Sequence, residues 1–265
     1  MLKNRNEKIK RMGTSSKFVA LDNKLLEYLF SLEDLNSKHI SIIVYLKDMA
    51  TSEEGGIKYI KSMSVKELNS FLKSDTKYRT ARKLLETLLS HSELFIVDKA
   101  IYNSKLLVKN TQSFSITLED IFKSNSDSFT KVPETLLHKY PEGISTYLAI
   151  RYTHSERACI DIPRIQKMSK VKRRNTQLEI LDTLEEFGFI RIIKDRTVMR
   201  NKPNKYECLL TDEIEFERRY NKYNTKKATD SIKEPKTHPR AKKSYKKEFI
   251  TDTTNEVKIG EWDLD

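Results

Sequence analysis

The chain has 265 residues, a length that fits about two domains of ordinary size. Hydrophobic residues make up 37% of it and charged residues 33%, and its 11 Phe and 12 Tyr residues allow buried cores. With six Gly, six Pro and no apolar run approaching ~18 residues, the composition excludes collagen-like and proline-rich classes and a membrane-spanning helix. Two cysteines, Cys159 and Cys208, are too few for a disulfide framework, so we expect reduced thiols and a cytoplasmic protein.

Charge is concentrated at the two ends of the chain, whose formal net charge is +12. Residues 1–17 carry six bases and one acid, and residues 218–247 carry 12 bases and two acids. Residues 248–265 carry six acids and one base, which leaves a balance of only +2 for the body between the ends. A nearly neutral body with basic ends predicts a polyanion partner, most often nucleic acid, with solubility as the alternative explanation.

The first 16 residues, MLKNRNEKIKRMGTSS, are predicted to form a flexible basic N-terminal arm. They carry charge but are not followed by an apolar stretch, which argues against a secretory signal. We therefore expect no membrane partner.

A weak internal repeat follows the arm, at an offset of 111 residues. The segment KFVALDNKLL, which begins at Lys17, aligns with SFTKVPETLL, which begins at Ser128. The same order of elements follows both segments: a helical stretch, a short extended piece, two helices and a pair of strands. The repeat therefore predicts two units of similar fold, unit 1 over residues 17–120 and unit 2 over residues 121–216.

In unit 1, the first helix after the extended piece begins at a capping box formed by Ser64 and Glu67. A second helix is predicted from about 76 to 90, with its leucines on one face. Two β-rich runs, 94–99 and 105–110, are expected to pair as a hairpin.

In unit 2, Asp161 is placed to cap a short helix that has proline in its first turn. The next helix is predicted from 172 to 187, and Gly188 suits the left-handed position that ends it. The strands 189–194 and 206–210 are expected to form a hairpin with a long basic tip. Three leucines of the second helix are predicted to face inward: Leu178, Leu181 and Leu184.

A helix, a short strand, two helices at a sharp turn and a hairpin are the order of a winged helix-turn-helix. The predicted fold is therefore α+β and helix-rich, with two winged helix-turn-helix domains in tandem. From residue 217 to 265 the apolar periodicity is lost, which predicts a disordered basic tail with an acidic tip. Trp262, in that tip, is a candidate anchor for a protein partner. Alternatively, the acidic tip folds back onto the protein's own basic surface.

The sequence contains none of the common catalytic motifs. Its six glycines form neither GxxxxGK[ST] nor GxGxxG, and its five scattered histidines form no HExxH. GxSxG is absent too. We therefore expect a protein that is not an enzyme and that needs no metal or cofactor.

The residues expected to bind DNA form three clusters at equivalent or adjacent places of the two units. A recognition helix needs an apolar back and a polar, basic front whose first turns enter the major groove. In unit 1 this front would be Lys77, Tyr78, Arg79, Arg82 and Lys83. In unit 2 it would be Lys170, Lys172, Arg173, Arg174, Asn175 and Gln177. The hairpin tip of unit 2 adds Arg196, Arg200, Lys202 and Lys205, so unit 2 is expected to carry more of the affinity.

These features together resemble the plasmid replication initiators (Rep proteins) of bacteria. The resemblance covers about 17–210 and consists of the tandem units, the basic second recognition helix, the long wing and the opening FTKVPETLL. It implies binding to directly repeated origin sites, melting of adjacent DNA without nucleotide hydrolysis, and recruitment of host replication proteins. It also implies a homodimer through the N-terminal domain that represses transcription.

By position, the same resemblance makes Arg173, Arg174 and Gln177 base-reading candidates and Arg196 and Arg200 wing contacts. The basic tail with its acidic tip is a departure from the family's shared core.

Three alternative functions stay open. The first is a winged-helix transcriptional repressor or a phage replisome organiser, and the second is a protein-interaction scaffold with non-specific nucleic-acid affinity. The third is a metal-dependent nuclease.

Overall fold

The computed structural model describes the body of the chain with several gaps. The described residues are 17–52, 58–73, 78–97, 101–102, 105–119, 122, 128–153, 157–193 and 204–232. Within them the protein is an α+β, helix-rich fold with small antiparallel sheets. None of the helices in this part of the chain combines the length and the apolar composition that a membrane span requires.

The elements of unit 1 follow the predicted order. Its helices are α1 (Asn23–Ser31), α2 (Ser37–Met49), α3 (Val65–Phe71) and α4 (Arg79–Leu89). Its strands are β1 (Phe18–Asp22), β2 (Thr51–Ser52), β3 (Lys58–Met63), β4 (Phe95–Val97), β5 (Ile101–Tyr102), β6 (Lys105–Leu106) and β7 (Phe114–Leu118).

The elements of unit 2 repeat that order. Its helices are α5 (Glu134–Lys139), α6 (Ile144–Thr153), α7 (Ile162–Ser169) and α8 (Arg174–Glu186), with a 3-10 turn (Pro141–Gly143) before α6. Its strands are β8 (Phe129–Pro133), β9 (Arg157–Cys159), β10 (Ile190–Ile193) and β11 (Lys205–Cys208). A last helix, α9 (Glu213–Ile232), crosses the predicted boundary of the unit.

The two units also repeat their sheet topology. In unit 1 the strands are ordered β2-β3-β7-β4, and in unit 2 they are ordered β9-β11-β10. In both sheets the strand before the helix pair lies next to the last strand of the hairpin, and every pairing is antiparallel. The internal repeat predicted from ten residues therefore extends to the order of strands in space.

A local two-fold relation joins the units at β1 and β8. These strands pair antiparallel with Ala20 opposite Lys131, which are equivalent positions at the repeat offset of 111 residues. The same relation holds for the hydrogen bonds that flank the ladder, from Asn23 N to Ser128 O at 3.2 Å and from Glu134 N to Lys17 O at 3.1 Å. The opening segments of the two units thus form one shared ribbon.

The core is shared as well. Helices α2 and α6 pack against each other at its centre, and residues 144–150 of α6 are buried on every side. Buried apolar residues of both units belong to one continuous cluster. Burial of this area is the main stabilising contribution, since each fully buried aliphatic side chain is worth about 1.5–3 kcal/mol.

Local signals for helix ends are confirmed. The Ser64 hydroxyl and the Glu67 carboxylate form the reciprocal capping box at the start of α3, and the Asp161 carboxylate accepts from the Arg164 N–H at 2.8 Å. Gly188 has φ 81°, and a Cβ there would lie 2.7 Å from the Arg219 side chain. This position therefore requires glycine.

The predicted hairpin between 94–99 and 105–110 is wrong. Strand β4 pairs with β7, in which Phe114, Ile116 and Leu118 alternate inward, and β6 pairs with β5. The reason is that the Glu86 carboxylate of α4 accepts from the Leu106 N–H of β6 at 3.1 Å. A helix side chain, and not a strand, thus takes the hydrogen bond of this backbone group.

Two further expectations are corrected by aromatic and polar packing. Leu178 is 39% exposed, because Gln177 takes the inward position of that turn. The chain is helical to Ile232 rather than irregular from 217, since Phe216, Tyr220 and Tyr223 of α9 contact the Phe187 ring with centroids 5.3–5.6 Å apart. Residues 233–265, including Trp262, lie outside the described chain, as does the arm 1–16.

The burial of His39 leads us to expect that the protein loses stability in mild acid. Burial lowers the pKa of its imidazole to about 4, while the nearby Asp34 carboxylate raises it by a smaller amount and His91 lowers it slightly further. The unfolded chain titrates near pH 6.5 and binds the proton first, so the free energy of unfolding should fall from pH 6.5 to 4, by at most about 1.4 kcal/mol per pH unit. Urea unfolding at several pH values checks this, and an equal decline in His39→Gln would contradict the assignment.

Candidate nucleic-acid interface

The start of α8 presents an open basic surface. Lys172, Arg173, Arg174 and Asn175 are all exposed, and none of them has an ion-pair or side-chain hydrogen-bond partner among the described residues. Arg173 is the N-cap residue but its side chain does not cap the helix. The first N–H groups of α8 are therefore available, together with two guanidinium groups, to an anion at the helix end.

Gln177, predicted to read bases, is buried instead. Its side chain is 0% exposed, accepts from the Ser169 hydroxyl at 2.8 Å and donates to the Thr146 hydroxyl at 3.0 Å. This amide joins α6, α7 and α8 inside the core of unit 2. The prediction is corrected because Gln177 lies on the inward face of α8 with Ile180, Leu181 and Leu184.

Lys170 is also used within the protein. It adopts the left-handed conformation (φ 58°) between α7 and α8, and its ammonium donates to the Phe30 carbonyl of unit 1 at 2.6 Å. Burial lowers the pKa of this ammonium. Lys170 is therefore removed from the predicted DNA contacts.

Lys73 is the counterpart of Lys170 in unit 1. It lies after α3 with φ 46°, and its ammonium donates to the Lys139 carbonyl of unit 2 at 2.5 Å. The turn between α3 and α4 and the turn between α7 and α8 are thus each bound to the first helix of the other unit. The two contacts fix the position of α4 and α8 relative to the shared body.

The start of α4 is exposed in the same way as that of α8. Tyr78 is 39% exposed, Arg79 and Lys83 are exposed, and both bases lack an ionic partner within the described chain. The predicted contact Lys77 lies outside the described residues. Unit 1 therefore offers basic groups at the position equivalent to Arg173 and Arg174 of unit 2.

Arg82 is a structural residue and not an open contact. Its guanidinium donates to the Leu106 carbonyl at 2.9 Å, the Val108 carbonyl at 2.6 Å and the Asn110 side-chain oxygen at 2.9 and 3.1 Å. The predicted role is corrected, because these acceptors occupy the guanidinium and hold the segment 105–110 against α4.

The hydrogen bonds of Arg82 to the segment 105–110, called the brace below, place further basic residues on the surface of unit 1. These residues were not predicted from the sequence as DNA contacts. Lys105 and Lys109 are exposed on the braced segment, and the Lys66 N–H of α3 donates to the Asn110 carbonyl at 2.9 Å. Lys66, also exposed, is thereby placed beside them. Lys66, two residues after the capping Ser64, was a local indication of this site.

The hairpin of unit 2 is described only at its base. Lys205 is exposed at the start of β11, opposite Ile193 of β10. Arg191 and Glu207 form an ion pair across the hairpin at 2.9 Å. Arg196, Arg200 and Lys202 lie outside the described residues, so their role stays a prediction.

An acidic groove lies along the far part of α8. It has a volume of about 760 Å³, and four acids line it against one base: Glu142, Glu179, Asp182 and Glu186 against Lys38. The described residues contain no group of three or more His, Cys, Asp or Glu side chains arranged to hold a metal ion. The basic surface of α8 is thus limited to its first turn.

Comparisons of this chain with protein-family models, with curated proteins and with solved structures found no match.

Proposed function

We propose that this protein binds double-stranded DNA through two winged-helix units in tandem. The supporting observation is that the starts of α4 and α8, at equivalent places of a repeated topology, both present exposed Arg and Lys side chains that have no ionic partner among the described residues. Basic groups at the start of a helix that follows a helix-turn contact phosphates and base edges in this class of proteins. Binding involves no chemical step.

Replication initiation is the biological role we propose for that binding. The repeat and the FTKVPETLL opening, which support the resemblance to plasmid initiators, form the β1–β8 ribbon that joins the units. The two units are thereby combined in one chain around one core, an arrangement that suits two successive contacts along one duplex. Repeated footprints of one spacing beside an AT-rich stretch would support initiation, whereas a single palindrome would favour a repressor.

Duplex binding is tested by selection from a random-sequence library, followed by anisotropy titration of the enriched duplex. With about 6–10 phosphate contacts, affinity should fall by ~10³–10⁵ between 50 and 200 mM salt. The Arg173→Ala/Arg174→Ala variant should bind at least about tenfold more weakly. The control, Lys24→Ala/Lys222→Ala, removes the same charge from exposed positions of α1 and α9. A salt-insensitive complex, or equal losses in both variants, would contradict the proposal.

A further inference from the structure

The outward face of α8 is acidic beyond its first turn. Gln177, Ile180, Leu181 and Leu184 define the buried side of this helix. The opposite side carries the exposed residues Leu178, Glu179, Asp182 and Glu186. In a major groove this side would bring three carboxylates close to the phosphate backbone, which carries one charge per ~1.7 Å of duplex.

The surroundings of α8 add a steric argument. Glu179, Asp182 and Glu186 line a groove whose other wall contains Tyr140, Glu142 and Tyr223. The side chains of this part of α8 thus share a concave surface with the 3-10 turn and α9. The far part of α8 is therefore flanked by other elements on its outward side.

The outward face of α4 has the opposite character. Arg79 and Lys83 are exposed, one helical turn apart, on the side away from the buried Ala81, Leu84, Leu85, Leu88 and Leu89. The one acid of α4, Glu86, is engaged with the Leu106 N–H. Lys105 and Lys109 continue the positive surface beside the helix, because Arg82 holds their segment there.

We propose that α4 is the helix that lies along the major groove, and that α8 contacts the duplex only through its first turn. Arg79 and Lys83 are then the specificity-determining residues, and Arg173 and Arg174 contact phosphates. This assignment rests on the proposed duplex binding. It moves base reading to unit 1 from Arg173 and Arg174 of unit 2, where the resemblance placed it.

The test compares three variants on the duplex that the wild-type protein selects. Arg79→Ala/Lys83→Ala should lose on the order of 10- to 100-fold in affinity and select a different or degenerate sequence. Arg173→Ala/Arg174→Ala should weaken binding to all sequences by a similar factor. Glu179→Gln/Asp182→Asn/Glu186→Gln should change affinity by less than about threefold and retain the selected sequence, because α8 lies outside the groove.

A conservative variant separates base reading from charge. Arg79→Lys keeps the charge but lacks the planar fork that binds guanine in two places, so it should retain most of the affinity and lose the base preference. Thermal melts of all variants check that each is folded. A change of sequence preference in the acid-neutralised α8 variant, or none in Arg79→Ala/Lys83→Ala, would overturn the assignment of α4. Failure of the wild-type protein to enrich any duplex would overturn the proposed function with it.

Discussion

Replacing Gln177 by alanine is expected to lower the free energy of unfolding by about 2–4 kcal/mol. The amide is fully buried and links the hydroxyl groups of Ser169 and Thr146. Its loss leaves two buried polar groups without their partner, each costing about 1–3 kcal/mol, and also opens a cavity. Urea unfolding measures the change, and DNA affinity at a temperature where the variant is folded should stay near the wild-type value.

Two further variants separate the effect of the lost hydrogen bonds from the effect of the cavity. Gln177→Leu fills most of the volume but makes no hydrogen bond, so it should recover part of the loss attributable to the cavity. Asn175→Ala, at an exposed position of the same helix, is the control and should stay within about 0.5 kcal/mol. If Gln177→Ala were as stable as the control but bound its DNA site more weakly, Gln177 would be a base contact after all.

The Arg82→Ala variant should lose about 2–3 kcal/mol of stability. Its guanidinium makes four hydrogen bonds to the segment that contains Leu106, Val108 and Asn110. A hydrogen bond to a charged group contributes a net of about 1.5–3 kcal/mol, and we expect the loss of about one such bond because the half-buried segment gains bonds to water when the guanidinium is removed. Without the brace, Lys105 and Lys109 lose their fixed place beside α4. DNA affinity should therefore fall together with stability, and hydrogen exchange of the 105–110 amides should accelerate.

Lys83→Ala is the matched control for stability, because Lys83 is the exposed neighbour of Arg82 and lacks an ionic partner within the described chain. It should unfold at the wild-type urea concentration while binding DNA more weakly. Arg82→Lys should rescue little, since an ammonium cannot make the forked contacts to two carbonyls and an amide. Unchanged stability in Arg82→Ala would show that the brace contributes nothing.

Elements that depend on neighbours in the sequence were predicted well. The capping box of Ser64 and Glu67, the cap at Asp161 and the turn at Gly188 act over a few residues, so their effect does not depend on the rest of the fold. The buried face of α4 followed from the helical spacing of its leucines. The partner of β4 could not be predicted in this way, because strand pairing joins distant segments. Two later β-rich runs were both possible partners of β4, and the structure pairs it with β7.

The candidate site shows the same division. Arg173, Arg174, Arg79 and Lys83 were predicted from composition near helix starts, and the structure leaves all four exposed. Gln177, Lys170 and Arg82 were predicted by the same reasoning and are engaged inside the protein. Gln177 falls at the helical spacing of Ile180 and Leu184, so the periodicity could have indicated its inward side. Nothing local in the sequence indicates the partners of Lys170 and Arg82.

The amino-acid sequence alone determined the two-unit repeat, the helix ends and the positions along the chain where positive charge collects, since these follow from local propensity and composition. Only the tertiary structure decided which of those charges are available to a partner, because burial and hydrogen bonding depend on the elements packed around each residue. For the same reason it alone showed that the acidic far face of α8 lines a groove beside the 3-10 turn and α9, whereas Arg79 and Lys83 of α4 are exposed and lack an ionic partner in the described chain.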